Sequence, residues 1–334
     1  MMASSKDVAK YAGVSQTTVS RVLNNPEMVQ KKTLDKVLDA IDALNYQPNS
    51  IARSLVNNKT KSIALLSGPL HNPFFAESTT SIVNYAKEKG FNVNVHFENF
   101  GSNLEVYQDI VGNKVDGIIL SSILYEDPIF ERLNRLNAPF VMFNRKHAEA
   151  GHFIEMDNVQ AGRLATEHLV RLNHVNIVWV GGPLNMSTFW GRFEGFKQIF
   201  EEENLPINEQ NIIITDTSRE AIFKETASIM SRKSRPTAIY AATDSIAIFM
   251  MDYLLQKGYK IPQDISIIGT DNVNLSSHAS FQLSTVAITT EENLGRIAME
   301  TLINLVEGQS PSSSFIQKTI GTILLERKTT STLK

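Results

Sequence analysis

Residues Lys6–Asn24 read KDVAKYAGVSQTTVSRVLN, and the spacing of their apolar side chains predicts two short helices joined by a turn. In the first helix Val8 and Ala12 lie one turn apart, on one apolar stripe. Gly13 can adopt the left-handed conformation that ends a helix, because it has no Cβ. Ser15 is a suitable N-cap for the second helix. The stretch therefore predicts a helix-turn-helix motif, whose turn of about three or four residues often contains Gly.

The second helix separates an apolar face from a polar one. Val19 and Val22 point inward, whereas Thr17 and Arg21 lie one turn apart on the opposite face. In this motif the second helix enters the major groove, where Arg pairs with guanine and Gln with adenine. An ordinary helical hairpin with a solvated polar face is the alternative, and the uncharged Gln-Thr-Thr tip favours DNA binding instead. A third helix is predicted over Lys31–Leu44. Its expected inward residues are Leu34, Val37, Leu38, Ile41 and Leu44.

The pattern DVAKYAGVSQTTVSRVLN closely resembles the opening of the LacI/GalR family of bacterial transcriptional regulators. The resemblance implies a DNA-binding headpiece over residues 1–48, then a hinge helix (Asn49–Val56) and linker over 49–60. In the hinge, Leu55 stands where the family wedges a Leu into the minor groove, although burial alone would also suit a Leu. The motif and the resemblance together assign DNA contacts to Ser15, Gln16, Thr17, Thr18, Ser20, Arg21, Asn24, Asn49, Ala52 and Leu55.

The length, composition and charge distribution of the chain fit this interpretation. Its 334 residues suggest two or three domains, and 42% hydrophobic with 20% charged residues is typical of a soluble globular protein. The absence of cysteine excludes disulfides and thiolate chemistry. No membrane-spanning run or secretory signal is evident, so the expected location is the cytoplasm. Residues 1–61 carry nine Lys and Arg against five Asp and Glu, which indicates a basic head on an acidic body.

From Lys61 onward, buried strands alternate with amphipathic helices. The series begins with strand Ser62–Ser67 and helix Phe74–Lys89, and it starts again near residue 160. Such alternation predicts βαβ units with parallel sheets, here two doubly wound α/β subdomains following a helical head.

By the family resemblance, residues 61–334 form an effector-binding and dimerisation domain built like the periplasmic sugar-binding proteins. The expected N-lobe covers about 61–156 and 289–316, and the expected C-lobe about 157–286 and 317–330. The chain stops seven residues after Arg327, without the family's tetramerising segment, so a homodimer is expected.

Ligands of open α/β sheets bind beyond the carboxyl ends of the strands. That rule, together with the family match, nominates effector contacts at Asn72, Phe74, Phe75, Asn144, Thr188, Trp190, Arg192, Thr243, Asp244 and Asp271. Arg192 and Asp271 are expected to grip hydroxyl groups as a charged pair, or to form a structural ion pair. Asp244 could instead cap helix 245–257, and Trp190 could be a core residue beside Phe193.

The family's purine-sensing branch has an aromatic residue near Thr217 and an additional Arg near Met186, and this chain lacks both. A sugar or sugar derivative is therefore the predicted effector of a repressor of carbohydrate-utilisation genes that binds a pseudo-palindromic operator. The alternatives are a nucleoside or protein co-regulator, a sugar-binding receptor without gene control, and an enzyme carrying a DNA-binding head.

No catalytic residue, cofactor or metal site is predicted. Gly181-Gly182-Pro183 follows a strand but matches no phosphate-binding motif. Neither G-x-S-x-G nor H-E-x-x-H occurs, and His147 with His152 lacks a helical metal-ligand spacing.

Overall fold

The computed structural model describes residues 3–47, 59–98, 104–136, 138–309 and 314–333. The chain divides into two compact units, Met1–Thr60 and Lys61–Lys334. The predicted hinge helix Asn49–Val56, with its three assigned DNA contacts Asn49, Ala52 and Leu55, lies outside the described residues.

The small unit begins with a helix-turn-helix. Its elements are α1 (Ser5–Ala12), α2 (Gln16–Asn24), a 3₁₀ turn (Pro26–Met28) and α3 (Lys31–Ala43). Gly13 ends α1 with φ 65° and ψ 35°, the left-handed conformation that the sequence predicts. The Ser15 hydroxyl caps α2 by accepting from the Thr18 N–H at 3.1 Å. The predicted turn chemistry is therefore present in the structure.

Six buried side chains form the core of the small unit: Val8, Ala9, Val19, Val22, Val37 and Ala40. The prediction that Leu38 faces inward is wrong, because its side chain is 45% exposed. Leu34, Val37 and Ile41 share one helical stripe, and Leu38 lies about 100° around the helix from Val37.

The large unit contains two six-stranded sheets. The first, which we call the N-lobe, has the strand order β11-β5-β4-β3-β1-β2. Its strands are β1 (Ser62–Ser67), β2 (Asn92–Phe97), β3 (Gly117–Leu120), β4 (Phe140–Phe143), β5 (Phe153–Met156) and β11 (Gln317–Ile320). Its helices are α4 (Pro73–Glu88), α5 (Leu104–Gly112), α6 (Phe130–Asn134) and α11 (Leu294–Val306). All the pairs in this sheet are parallel.

The second sheet, the C-lobe, repeats the same winding in the order β12-β10-β9-β8-β6-β7. Its strands are β6 (Ile177–Gly181), β7 (Ile212–Ile214), β8 (Ala238–Ala241), β9 (Ser266–Thr270), β10 (Ser284–Ile288) and β12 (Thr322–Leu325). Its helices are α7 (Asn158–Arg171), α8 (Ser187–Glu202), α9 (Arg219–Met230) and α10 (Asp244–Gln256). Only β12 runs antiparallel, beside β10, among the strands described here.

The chain crosses between the lobes three times, after β5, after β10 and after β11. The predicted lobe boundary at residues 316/317 is wrong, because β11 pairs in parallel with β5, with Gln317 opposite Phe153. Residues 317–320 therefore belong to the N-lobe, and the third crossing occurs at Gly321. Strand β5 was not predicted at all.

The central strands are buried on both faces. Strands β3, β4, β6, β8 and β9 contain only buried residues, as is usual where helices cover both sides of a parallel sheet. This arrangement places the carboxyl ends of the central strands at one edge of each sheet. Among the described residues, no helix combines the length and the apolarity needed to span a bilayer.

Replacing Gly13 with Ala tests the turn that positions α2. A Cβ at Gly13 would contact nothing within 4 Å, so the cost comes only from the left-handed backbone. We expect a loss of about 1 kcal/mol in the stability of the small unit, because L-residues disfavour this conformation. Hydrogen exchange of the α1 and α2 amides, measured by mass spectrometry, should accelerate.

Gly112→Ala is the matched control, since Gly112 also has open space around a Cβ but has no positive φ. Unchanged exchange in the α1 and α2 peptides of the Gly13→Ala protein would contradict the assigned role of the turn.

Candidate functional site

The exposed face of α2 is the candidate DNA-reading surface. Gln16, Thr17, Ser20 and Arg21 are exposed, whereas Val19 and Val22 on the opposite face are buried. The helix therefore presents amide, hydroxyl and guanidinium groups together, and these are the groups that recognise base edges.

Some of the side chains predicted to contact DNA also bond within the small unit. The Gln16 amide donates to the Ser5 hydroxyl of α1 at 2.9 Å, which ties the two helices together. The hydroxyls of Ser15 and Thr18 lie 2.8 Å apart, and Thr18 is half-buried. Thr17 and Arg21 are exposed on this surface, while Ser15 and Thr18 also shape the start of α2.

A cavity of about 170 Å³ opens between the two lobes of the large unit. Its walls come from the loops that follow β1, β2 and β4 in the N-lobe and β6, β7, β8 and β9 in the C-lobe. These are the carboxyl ends of the strands, where the topology of both sheets predicts a binding site. An apolar cavity of about 150 Å³ holds a benzene-sized molecule, so this one has room for a single ring.

The structure brings eight of the ten predicted effector contacts to this cavity. They are Asn72, Phe74, Phe75, Asn144, Thr188, Arg192, Thr243 and Asp271. The Phe74 ring stacks on the Phe143 ring with 5.9 Å between the ring centroids. It makes an edge-to-face contact with the Phe75 ring at a centroid distance of 5.4 Å, and the rings of Phe74 and Phe75 form the apolar floor of the cavity.

The other two predicted contacts do not line the cavity. The Trp190 side chain is 50% exposed, so it is neither a wall of the cavity nor a core residue beside Phe193. Asp244 is fully buried in the first turn of α10, and Thr243 is the N-cap of that helix instead. Thr243 caps it by accepting from the Ile246 N–H at 3.2 Å.

An ion pair between Arg192 and Asp271 lies in the C-lobe wall. Their closest atoms, Nη2 and Oδ1, are 2.7 Å apart, and the side chains are only 1% and 5% exposed. Arg192 also donates from Nε to Asn158 at 3.0 Å, and from Nη1 to the Ala242 carbonyl. The pair is thus a structural ion pair that also faces the cavity.

A second ion pair, which the sequence analysis did not identify, lies in the N-lobe wall. Glu98 follows β2 and Arg145 follows β4, and their closest atoms are 3.3 Å apart. Both residues line the cavity. The signal in the sequence that points to Glu98 is its position, a polar residue directly after a parallel strand.

Three residues of the cavity wall have left-handed backbone. Asn144, Thr217 and Asp271 have φ values of 66°, 64° and 118°. For a β-branched residue such as Thr217 this conformation is an outlier. Strained backbone of this kind concentrates at functional sites, and here it occurs on three separate loops that meet at one cavity.

The lobes contact each other through the same loops. The Thr188 hydroxyl donates to the Asn144 carbonyl at 3.0 Å, and the Lys146 N–H donates to the Ser187 hydroxyl at 2.9 Å. The Asn274 N–H donates to the Glu77 carboxylate at 2.9 Å, and burial raises the pKa of Glu77. Residues that line the cavity therefore also set the arrangement of the lobes.

Asp244 lies beneath this wall as a buried acid. Burial, reinforced by the charge of Asp271, raises the pKa of Asp244 to about 7. Its carboxyl group accepts from the Thr285 hydroxyl at 2.6 Å and from the Val273 N–H at 3.0 Å. The residue supports the loop after β9, which carries Asp271.

Comparison with known proteins covers both units. The model of bacterial regulatory proteins of the lacI family matches residues 5–49, and that of a periplasmic binding protein-like domain matches residues 166–330. The HTH-type transcriptional repressor PurR of Photorhabdus laumondii is 34% identical over 323 residues, 95% of this chain and 94% of that protein.

Two solved structures extend the comparison. The lac repressor dimer bound to operator and the anti-inducer ONPF has a TM-score of 0.85 at 27% identity, over 99% of this chain and 100% of that chain. A LacI family regulator from Enterococcus faecium with bound ribose has a TM-score of 0.71 at 26% identity, over 82% and 100% of the chains. The resemblance inferred from residues 6–24 is confirmed, as is the predicted fold.

Replacing Asp244 with Asn tests the buried acid. The raised pKa means that the folded chain retains a proton that the unfolded chain releases near pH 4. This contribution to the stability of the parent is therefore present below about pH 4 and declines as pH rises to about 7, by up to about 1.4 kcal/mol per pH unit. Asn does not ionise and can bond both Thr285 and Val273. The stability of the variant relative to the parent should therefore rise from pH 5 to 7 and stay level above.

Urea unfolding followed by tryptophan fluorescence measures this difference, because both tryptophans, Trp179 and Trp190, lie in the large unit. Asp252→Asn is the control, since the hydrogen bonds of Gln256 and Arg219 lower the pKa of this surface carboxylate. A pH-independent difference for Asp244→Asn between pH 5 and 7 would refute the assignment.

Proposed function

This chain belongs to the LacI family of bacterial regulatory proteins, and we propose that it represses carbohydrate-utilisation genes as a cytoplasmic homodimer controlled by a sugar-like effector. Its class, a DNA-binding transcriptional repressor, follows from the family and from curated relatives such as PurR of Photorhabdus laumondii. The genes, the effector and the dimer are the proposed part.

The exposed face of α2 is the observation that carries the DNA-binding half. In the proposal Gln16, Thr17 and Arg21 contact base edges, and the heads of two protomers span a pseudo-palindrome. Ser15, Thr18, Ser20 and Asn24 support or flank these contacts. Asn49, Ala52 and Leu55 are proposed to act in the minor groove.

The composition of the cavity wall supports a sugar-like effector. Amide, hydroxyl and charged groups from both lobes surround an apolar floor that includes Phe74, and the space suits one ring. Met186 and Thr217 line the cavity at the two positions where the purine-sensing branch differs. The site therefore offers no guanidinium at Met186 and no stacking ring at Thr217.

Control requires that the effector bind one arrangement of the lobes more tightly than another. Asn144 and Thr188 meet this requirement in the proposal, because they line the cavity and bond to each other across the lobes. An effector that contacts either residue changes the free energy of that interlobe contact.

A nucleobase or nucleoside is the second candidate effector. Curated relatives that match almost the whole chain carry the name PurR, and Phe74 offers a flat ring at the cavity. The choice between the two candidates is experimental.

The test of the effector is a thermal-shift screen of sugars, nucleobases and nucleosides against the full chain. A ligand at 100 times its dissociation constant should stabilise the fold by about 2.7 kcal/mol. Each hit is then tested for its effect on operator binding, using duplexes selected from a randomised pool. Hits confined to nucleobases or nucleosides would transfer the proposal to the second candidate.

Replacing Arg21 with Ala tests the DNA-reading surface. Binding to the selected duplex should weaken by about 1–3 kcal/mol, because a bidentate contact to guanine is lost. Binding to random duplex should change much less. Fluorescence anisotropy with both duplexes at several salt concentrations measures the ratio.

Lys6→Ala is the matched loss of an exposed positive charge in the same unit. If this lysine contacts phosphate, its removal should weaken both duplexes equally and reduce the salt slope by about one. An Arg21→Ala protein that discriminates as well as the parent would sink the base-reading role.

A further inference from the structure

Among the described residues of its wall, the interlobe cavity offers no unpaired Lys or Arg side chain, because each arginine there is paired with a carboxylate, and one further carboxylate is present. Its ionisable lining residues are His71, Glu98, Arg145, Arg192, Asp216 and Asp271. Both cations are paired with a carboxylate, Arg145 with Glu98 and Arg192 with Asp271. Among the carboxylates that line the cavity, one remains beyond these pairs, that of Asp216.

The paired cations are not available to a ligand anion. The Arg145 and Glu98 side chains are only 6% and 12% exposed, so neither can move into solvent to release the other. The Arg192 guanidinium makes three further hydrogen bonds, to Asn158, to the Ala242 carbonyl and to the Met156 sulfur. An anion would therefore have to displace a buried carboxylate in order to reach either guanidinium.

Asp216 adds an uncompensated negative charge at the cavity. Its carboxylate accepts from the Ser218 N–H at 2.9 Å, and bonds from Ser218 lower its pKa, so it is ionised at neutral pH. Within the described ranges, no Lys or Arg lies within salt-bridge distance of it.

Helix ends supply the remaining polarity of the wall. Helices α4, α8, α9 and α10 all begin at the cavity. The side chains of Asn72, Ser218 and Thr243 cap three of them, whereas α8 begins after Met186 without a side-chain cap. The free N–H groups at the start of α8 can donate to any ligand oxygen, charged or neutral, so the pairing of the two guanidinium groups and the charge of Asp216 decide the selectivity.

From this arrangement we infer that the cavity selects an uncharged, hydroxyl-rich ring and rejects its phosphorylated counterpart, with Glu98 and Asp216 as the residues that determine this selectivity. The inference rests on the proposed function of the cavity as the effector site. It extends that function by specifying the charge of the ligand.

The experiment uses inorganic phosphate as a probe of anion acceptance, measured by isothermal titration calorimetry on the full chain without DNA. Phosphate should bind the parent no more tightly than chloride at equal ionic strength. Glu98→Gln leaves Arg145 unpaired at the cavity, so phosphate should bind this variant at least tenfold more tightly than it binds the parent.

Glu202→Gln is the matched control, because it also removes the carboxylate partner of an arginine, Arg163, but on the surface. It should resemble the parent. Should Glu98→Gln fail to fold, as judged by circular dichroism, Asp216→Asn decides instead. It removes the unpaired charge at an exposed position and should also increase phosphate affinity.

Parallel titrations compare D-glucose with D-glucose 6-phosphate and D-ribose with D-ribose 5-phosphate. Any sugar that binds the parent should bind with an affinity at least tenfold higher than that of its phosphate ester. Phosphate or a phosphate ester binding the parent more tightly than the uncharged partner would overturn the inference. So would a Glu98→Gln protein, or the Asp216→Asn protein in its place, that binds phosphate no better than Glu202→Gln does.

These outcomes are separable from failure of the proposed function. If phosphate behaves as expected but no uncharged compound alters operator binding, the sugar-effector proposal fails while the charge selectivity stands. If an anionic ligand binds the parent cavity and alters operator binding, the regulatory proposal stands while the charge selectivity fails.

Discussion

The guanidinium of Arg192 is the interaction on which the large unit depends. It extends from α8 to Asp271 after β9, to the Ala242 carbonyl after β8 and to Asn158 at the start of α7. Its remaining contact, with the Met156 sulfur, reaches the last residue of β5 in the other lobe. Close approach of α7 and α8 makes this possible, because a Cβ at Gly162 would clash with the Arg192 backbone. A charge this deeply buried is tolerated only when it is fully paired, so these contacts must form together.

How much of the fold could be predicted from the sequence differs from strand to strand. Strands buried on both faces appear as continuous apolar runs, and SIALLS is predicted with the observed boundaries. Strands β5 and β11 lack this signal. The first includes Glu155, and the second, QKTI, is largely exposed at the edge of its sheet. Strand β11 is defined by its pairing with β5 far away in the chain, which no local pattern encodes. Because the sequence does not reveal that β11 pairs with β5, the predicted third crossing lies several residues too early.

The residues of the candidate cavity also fall into a predictable and an unpredictable group. The rule that ligands bind at the carboxyl ends of strands brought together most of the wall, because it depends only on topology. It failed where helix geometry decides. On α8, Thr188 and Arg192 are one turn apart and face the cavity, but Trp190 lies about 200° around the helix from Thr188. Glu98 directly follows β2, so the same rule covers it, but no local pattern encodes its pairing with Arg145, which is distant in sequence.

Backbone strain and interlobe contacts coincide at the cavity, and this coincidence gives the site a physical basis for control. Asn144, Thr217 and Asp271 each adopt a left-handed conformation that costs on the order of 1–3 kcal/mol, which the packed sheets must offset. The Asn144 carbonyl also accepts a hydrogen bond from the Thr188 hydroxyl of the other lobe. A ligand that contacts these residues therefore interacts with the groups whose geometry depends on the arrangement of the lobes. A ligand whose contacts with these residues differ in net free energy between two such arrangements binds one of them more tightly, and an unequal affinity is what a regulator requires.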